Sequence, residues 1–333
     1  MPNLRRQAGC AAASGRGDMG QYIAKRALAS VLVLFVISVL VFTAVRAIPG
    51  DVCTIVLQTS DVDKQQCDAI NKELGIDKPV VTQYFVYMGN VLSGDFGRSL
   101  ITKKEVWEEM SVRIPLTVEL TLLATSFAVI LAVPIGIISA MRQDGPADYG
   151  LRFLTIGWLS VPSFWLGTLL IVFPSKWWHY TPPIGYTDIW EDPFKNLEQL
   201  YLPAFALGLA LSASLARIMR SSMLEVLRQD YIRTARAKGL RDGLIVIRHA
   251  LRNALIPVVT LFGLQVGVLF GGTVVLESIF TLPGLGGLTL SAVRAKDYTQ
   301  VQGLVLLFAT VLVLINLVVD LSYAWIDPRI RYS

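Results

Sequence analysis

The stretch DYIRTARAKGLRDGLIVIRHALRNALIPVV, residues 230–259, joins a basic segment to the beginning of an apolar one. Six arginines and lysines lie between Arg233 and Arg252, and Gly239 interrupts the basic run. Residues 253–276 carry no charge and exceed the roughly 20 apolar residues that a helix needs to cross a bilayer. The stretch therefore predicts that the chain passes here from water into a membrane.

The rest of the chain repeats this pattern. Of its 333 residues, 53% are hydrophobic and 17% are charged, whereas soluble domains carry roughly a quarter charged residues. A helix satisfies its own backbone hydrogen bonds, which the water-free bilayer core requires. The sequence thus predicts an all-α, polytopic membrane protein with six transmembrane helices, at residues 27–45, 120–141, 153–175, 199–216, 253–276 and 298–319.

The distribution of lysine and arginine predicts the orientation, because short loops rich in these residues stay in the cytoplasm. With the N-terminus inside, the cytoplasmic segments hold eighteen basic residues and the two short external loops hold four. Both termini are therefore predicted to be cytoplasmic. This topology also accounts for the net charge of +5 without nucleic-acid binding, for which the sequence has no motif.

The spans divide the chain into an extension, a first helix, a long external loop region and a helical core. The extension lacks the apolar core of a signal peptide, so we expect it to be disordered or to precede a true start at Met19. The loop region contains amphipathic stretches typical of small helices. The four parts are residues 1–19, 20–45, 46–115 and 116–333, the last including a cytoplasmic loop at 217–252.

Two of the three cysteines, Cys53 and Cys67, fall in the external loop region. The compartment outside the membrane is oxidising, which would allow a disulfide between them. Two unpaired thiols are the alternative, and the sequence leaves both open.

The motifs that would indicate catalysis are missing from the sequence. No Gly-Lys-Ser or Gly-Lys-Thr follows a glycine-rich turn, so the chain has no nucleotide-binding loop of that type. The two histidines, His179 and His249, are predicted on opposite sides of the membrane, without cysteine or carboxylate at ligand spacing. We therefore expect neither a metal site nor an enzyme.

Prolines, glycines and charges within the spans are candidates for a transport pathway. Prolines free backbone carbonyls, glycines permit close packing, and intramembrane charges are costly unless they face protein or water. Ordinary helix packing is the alternative, and Glu119 and Asp320 lie near span ends, where either role fits. The pathway candidates are Pro134, Pro162, Ser163, Phe164, Pro257, Gly271, Gly272 and Glu277.

The basic stretch has a specific resemblance. Two helical runs, YIRTARAKGL and LIVIRHALRNAL, meet near Gly239, and a loop that only set the topology would need no such helices. The segment resembles the ATPase-docking loop of ABC importer permeases. Its form, RTARAKGL…HALRNALIPVV, is similar to the B-type subunit of the dipeptide, oligopeptide and nickel branch, while the Glu, Ile and Pro of the general pattern are absent.

Other stretches carry the same resemblance in the same order. Each is a weak signal alone, and their order and spacing together are specific. The resemblance covers residue 20 to the end and implies the type I ABC importer permease fold. The stretches are RAIPGD, LGIDKPVVTQY, GDFGRSL, VPSFWLG, LPGLG, KDYTQVQG and DPRIR, between residues 46 and 331.

The resemblance implies a transport subunit and not an enzyme, in a bacterial or archaeal plasma membrane. Its partners would be a sister permease, two cytoplasmic ATPase subunits that use ATP and magnesium, and an extracytoplasmic solute-binding protein. This chain would bind no cofactor itself. Residues 233–239 would form a coupling helix that docks on an ATPase. The coupling residues are Arg233, Thr234, Ala235, Arg236, Ala237, Lys238, Gly239, His249 and Arg252.

The solute has several alternatives. The branch handles dipeptides, oligopeptides, glutathione, nickel chelates and oligosaccharides, and the spans hold no acidic cluster suited to bare nickel, so we expect peptides. A secondary transporter is a competing class, but it would need a protonatable group near mid-membrane. A membrane enzyme is another, and the two histidines make it a poor fit.

Overall fold

The computed structural model describes residues 4–47 and 78–326, and these are almost entirely helical. Within those ranges there is no β-strand, only an isolated antiparallel bridge between Arg98 and Glu105. Cys53 and Cys67 lie outside the described residues. The helices are α1 (Leu4–Ala47), α2 (Val80–Leu92), α3 (Val106–Ser111), α4 (Ile114–Met141), α5 (Pro146–Ser160), α6 (Ser163–Trp178), α7 (Pro193–Leu227), α8 (Asp230–Ala237), α9 (Asp242–Leu244), α10 (Leu251–Ile279), α11 (Leu285–Arg294) and α12 (Tyr298–Ile326), with a π-helical segment (Ile245–Ala250) between α9 and α10.

Residues 4–47 and 78–326 contain six candidate membrane spans when a bent helix pair is counted as one span. Five helical runs are long and apolar enough to cross a bilayer, and the pair α5–α6 passes the same test together. The prediction of an all-α protein with six spans is therefore confirmed. The orientation of the spans stays a prediction. The five runs are Ile23–Ala47, Val106–Met141, Pro193–Leu227, Asp242–Ile279 and Tyr298–Ser322.

The third span, predicted at residues 153–175 with Pro162 inside it, consists of two separate helices, α5 and α6. Helices α5 and α6 meet at an angle of 96°. Pro162 causes the break, because its ring disfavours the helical conformation of the preceding residue. Val161 accordingly has an extended backbone (φ −94°, ψ 119°), and α6 begins directly after Pro162.

Helix α1 begins at Leu4, within the segment that the sequence assigns to a disordered extension. The difference has a local reason, since residues 11–13 are three consecutive alanines and alanine has the highest helix propensity. Only Ile23–Ala47 of this helix is apolar enough to lie in the membrane. An ion pair between Arg26 and Asp320 (3.1 Å) connects the beginning of this membrane part to the last helix, α12.

Helices α4 and α7 form the centre of the bundle, where small residues allow their backbones to approach closely. A Cβ on Gly136 would lie 2.5 Å from the Cβ of Met219, and one on Gly208 would lie 2.5 Å from the carbonyl oxygen of Ala124. Larger residues here would force the two helices apart. The buried stripe on α4 consists of Ala124, Ala128, Ala132, Gly136 and Ala140.

The loop predicted at residues 217–252 is shorter in the structure. Helix α7 continues to Leu227, and the helical run of the fifth span begins at Asp242, so residues 228–241 form the connection. A charge-free window marks only the part of a helix that lies in lipid, and the helix itself continues into water. We call the end of the bundle that carries this connection the α8 end, and the opposite end the α11 end.

Candidate functional site

Helix α8 lies between α7 and α10 and is held there by apolar side chains. Ile232 is fully buried and Ala235 is 9% exposed, on one face of the helix. Both belong to a buried cluster with Met219 and Met223 of α7 and Ile245 of the π-helical segment. The element is therefore packed against both of the spans that it connects.

The chain turns at Gly239, just after α8. Its φ of +76° is a left-handed conformation that glycine adopts readily and that a β-carbon disfavours. The Gly239 N–H donates to the carbonyl of Arg236 (2.9 Å), and the Leu240 N–H donates to that of Ala235 (3.3 Å). Apart from the adjacent residues, no described atom lies within 4 Å of the position that a Cβ would take. Backbone conformation, and not space, selects glycine here.

The charged side chains around α8 face outward. Arg236 pairs across the turn with Asp242 (Nε to Oδ1, 3.2 Å), and Arg233 pairs with Asp230 (3.5 Å) while its side chain stays 74% exposed. Exposed ion pairs contribute little to stability, so these arginines are free to exchange partners. Of the other predicted coupling residues, Thr234, Ala237, Lys238 and Arg252 are exposed and His249 is partly buried.

A second, polar connection holds α8 to the fifth span. The Asn253 side-chain amide donates to the Tyr231 hydroxyl (2.8 Å). Between them lies the π-helical segment, whose wider turn places Val246 and Ala250 in the same buried cluster as α8. Such segments often occur at functional sites. The fifth span therefore begins with an irregular turn at the point where α8 contacts it.

Sequence reasoning missed a buried ion pair near the α8 end. Asp148 of α5 is fully buried and accepts two hydrogen bonds from Arg220 of α7 (2.8 and 2.6 Å). The Ser139 hydroxyl of α4 donates to the same carboxylate. The only available signal was two opposite charges near the same predicted membrane face. The charge-free window of the third span begins only at residue 153, so hydropathy does not place Asp148 on this helix.

The pathway candidates lie on α4, α6 and α10 or just before α6. Helices α4 and α10 continue through Pro134 and Pro257, whereas the chain breaks at Pro162. Glu277 is fully buried between helices. Seven candidates are at least partly exposed in the single chain, namely Pro134, Pro162, Ser163, Phe164, Pro257, Gly271 and Gly272.

One face of α10 is exposed along most of its length. Its exposed residues are spaced by seven, four, three and four positions, which places them on one side of a helix with 3.6 residues per turn. This side is open to lipid or to a second subunit. The residues are Pro257, Leu264, Val268, Gly271 and Val275.

At the α11 end, polar contacts fix the loop between α6 and α7, residues 179–192, which contains Tyr180, Tyr186 and Trp190. The Asn196 amide donates to Glu119 Oε2 (2.8 Å) and to the carbonyl of Thr187 (2.9 Å). Burial raises the pKa of the Tyr186 hydroxyl, and the neighbouring Glu119 carboxylate raises it further. Tyr186 therefore stays neutral at any physiological pH, and Glu119 has a structural contact.

Metal chemistry finds no support in the part of the chain that the structure describes. There, no group of three or more His, Cys, Asp and Glu side chains is placed to hold a metal ion. His179 follows α6 and His249 precedes α10, so the two histidines lie at opposite ends of the bundle.

Two families match this chain. The binding-protein-dependent transport system inner membrane component matches residues 132–332, and the N-terminal membrane component of the same systems matches residues 19–121. The solved structure of the MetNI methionine ABC transporter in an inward-facing conformation is similar in fold, with a TM-score of 0.53 at 18% identity. That match covers 65% of this chain and 95% of the solved one.

Curated relatives match almost the whole chain. The glutathione transport system permease protein GsiC of Pectobacterium atrosepticum is 41% identical over 315 residues, covering 95% of this chain and 100% of the relative. The di/tripeptide permease protein DppB of Pseudomonas aeruginosa is 40% identical, covering 95% of this chain and 100% of its own length. The oligopeptide permease protein AppB of Bacillus subtilis is 39% identical, covering 94% and 100%.

Proposed function

The chain belongs to the family of binding-protein-dependent transport system inner membrane components, and from this premise we propose that it forms half of the pathway of an ATP-driven peptide importer. Membership makes it a multi-pass permease subunit of an ABC importer. The predicted resemblance to this family is thereby confirmed. The solute, the partners and the residues that transmit work are the parts that we propose.

The observation that carries the proposal is the anchoring of α8. Ile232 and Ala235 are buried against α7 and the start of the fifth span, while the basic face of α8 is exposed. A helix that is rigidly attached to two spans and exposed on its other side can be displaced by a partner protein. It then transmits that displacement to both spans. We assign this role to α8 as the coupling helix.

The proposed coupling residues, in α8 and in the segment that follows it, form two groups: some set the shape of the surface and the others carry polar contacts. Gly239 provides the turn, and Ala235 and Ala237 are small enough for a partner surface to approach. Arg233, Thr234, Arg236, Lys238, His249 and Arg252 are the proposed polar contacts. A partner groove with acidic side chains fits this surface best, because the exposed charges of the set are positive.

In the proposed transport cycle the bundle has two states, inward-open and outward-open, and the ATPase subunits shift the equilibrium between them from the α8 end. Two ATPase subunits close on ATP and magnesium and move the coupling helices of this chain and of a sister permease. Because α8 is fixed to α7 and α10, that movement shifts the bundle between its inward-open and outward-open states. This chain binds no cofactor itself in the proposal.

The remaining partners and the location are proposed on the same basis. An extracytoplasmic binding protein delivers the solute at the α11 end, and the assembly lies in a bacterial or archaeal plasma membrane with the α8 end inside. The exposed pathway candidates, among them Phe164, Gly271 and Gly272, would line the route or meet the sister subunit. The pathway role of Pro134, Pro162, Ser163 and Pro257 belongs to the same proposal.

Peptides are the proposed solute class. Two of the relatives above carry peptides by name and a third carries glutathione, which is itself a modified tripeptide. Dipeptides and oligopeptides therefore come first, and glutathione is the main alternative. Nickel chelates and oligosaccharides are further alternatives.

The test is uptake by the complete importer in proteoliposomes. Wild-type complex is expected to import a labelled dipeptide or glutathione when ATP and the binding protein are present. Gly239→Pro, or Arg236→Glu combined with Lys238→Glu, should abolish uptake although the subunit still inserts and assembles. Lys103→Glu, an exposed charge at the α11 end, is the matched control and should transport normally. Normal uptake by the α8 variants would refute the docking role.

A further inference from the structure

Glu277 is the last acidic residue of the fifth span and is completely enclosed by protein. It lies near the end of α10 and has no exposed surface. Its Oε2 accepts hydrogen bonds from the backbone N–H groups of Gly286 (2.7 Å) and Gly287 (3.2 Å), at the start of α11. The carboxylate therefore binds the first turn of the next helix directly.

Thr117 of α4 extends this contact to a third helix. Its hydroxyl donates to Glu277 Oε1 (2.9 Å) and accepts from the N–H of Leu285 (3.0 Å). The first N–H groups of a helix have no partner within the helix. Here the N–H groups of Gly286 and Gly287 donate to Glu277, and the N–H of Leu285 donates to Thr117.

The glycines of the LPGLGG sequence make the close approach possible. A Cβ on Gly284 would clash with the Glu277 carboxylate, and one on Gly286 would lie 2.8 Å from Oε2, also closer than van der Waals contact. Neither position has room for a side chain. The motif that the sequence presents only as a tight turn is thus built around Glu277.

Helix α11 in turn carries the outer layer of the bundle. Leu285 and Ala292 of α11 belong to one buried cluster with Val106 and Met110 of α3 and Leu304 of α12. A displacement of α11 would therefore displace α3 and α12 as well. Because Glu277 joins α11 to α10, the fifth span and this outer layer are mechanically connected.

We propose that Glu277 is a positioning residue that clamps α11 to α10 and α4, so that movement of the fifth span at α8 is delivered to the opposite end of the subunit. The inference rests on the proposed coupling role of α8 and extends it across the membrane. Glu277 acts through α11 and does not touch the solute, because its carboxylate is enclosed and occupied by three donors. This assignment replaces a lining role for Glu277 in the pathway.

The test measures coupling and geometry in the assembled importer. Variants are Glu277→Leu, which removes the acceptor, and Thr117→Val, which keeps the volume and removes only the hydroxyl. Spin labels at the exposed positions Val275 of α10 and Val293 of α11 report the distance between the two helices. Glu108→Gln, an exposed acid at the same end, is the matched control.

The clamp predicts one narrow label distance that is the same with and without ATP in the wild type. In Glu277→Leu the distribution of label distances should broaden. The number of ATP molecules hydrolysed per solute imported should rise about fivefold, which is the low end of the range that typical coupling between sites produces. Thr117→Val should show the same change to a smaller degree, and it decides the question if the leucine variant does not assemble. Glu108→Gln should match the wild type in both measurements.

Two outcomes separate this inference from the proposed function. If wild type transports and the assembled variants keep its label distance and ATP ratio, the clamp is refuted while the importer function stands. If wild type itself does not transport, the proposed function is refuted, and the label distances still decide whether Glu277 holds α11 to α10.

Discussion

Three acidic side chains are buried in the described part of the chain, and each accepts hydrogen bonds from a distant element. Asp148 binds Arg220 of α7, Glu277 binds the first turn of α11, and Asp297 accepts from the hydroxyl of Ser99. A buried charge in a membrane protein is costly without such partners. These acids therefore join separate helices or loops, and their removal should loosen specific junctions.

The Asp148–Arg220 pair offers a stability test. Asp148→Ala leaves the Arg220 guanidinium, 20% exposed, without its carboxylate, and the free energy of unfolding should fall by about 3 kcal/mol. Asp148→Leu with Arg220→Met removes both charges and should cost clearly less. Thermal unfolding of the purified subunit in detergent compares the three proteins. A double variant as unstable as the single one would contradict an ion-pair role.

Gly239 offers a test of backbone conformation. Alanine at a left-handed position costs about 1 kcal/mol, so Gly239→Ala should distort the turn and lower uptake per ATP. Gly243→Ala is the matched control four residues away, where no described atom crowds the new Cβ and the backbone is helical. That variant should transport normally. Equal effects of the two substitutions would show that the positive φ of Gly239 is not what matters.

At the scale of helices, α2 is unusual because it is apolar but lies outside the six spans. Its residues Val80–Leu92 carry no charge. The Tyr84 hydroxyl lies 2.8 Å from Ser38 Oγ, and its ring centroid lies 6.3 Å from that of Phe35. Phe35 is twelve residues from the end of α1 at Ala47, or about 18 Å along the helix. Helix α2 therefore lies against the membrane part of α1.

This placement predicts that the exposed face of α2 contacts lipid. Phe85 is 67% exposed in the single chain. In a variant without native cysteines, Phe85→Cys should react slowly with a water-soluble maleimide in membranes and rapidly in denaturant. Lys103→Cys, in the polar segment that follows α2, should react rapidly in both. Equal rates in membranes would place α2 in water.

At the scale of the whole molecule, α10 connects two packed ends. Its 29 residues span about 43 Å, from the buried cluster around Ile232 to the clamp around Glu277. The α4–α7 pair fills the centre between them with small residues. The subunit is thus arranged so that events at the α8 end and the α11 end share one helix.

The orientation of the whole subunit is the corresponding prediction. The eighteen basic residues in the predicted cytoplasmic segments predict that the α8 end lies inside the cell. In a background without native cysteines, an impermeant reagent applied to intact cells should label Lys103→Cys and should not label Arg241→Cys. Permeabilised cells should show both labelled. The reverse pattern would invert the topology.

Features that depend on consecutive residues could be predicted from the sequence, and features that depend on packing between distant helices could not. Transfer of an apolar segment into a bilayer depends on that segment alone, so all six spans could be located from runs such as residues 253–276. The turn at Gly239 and the inward face of Ile232 could also be predicted, because helix period and glycine conformation are local. The coupling roles assigned to α8 stay predictions, since the single chain carries no partner.

The membrane class, the number of spans, the family and the position of α8 could be predicted from the sequence, because hydrophobicity, helix period and motif spacing are properties of consecutive residues. The 96° angle at Pro162, the pairing of Asp148 with Arg220, and the enclosure of Glu277 by Gly284 and Gly286 became visible only in the folded chain. Whether a buried charge finds donors, or a glycine leaves room for a carboxylate, depends on how distant helices pack.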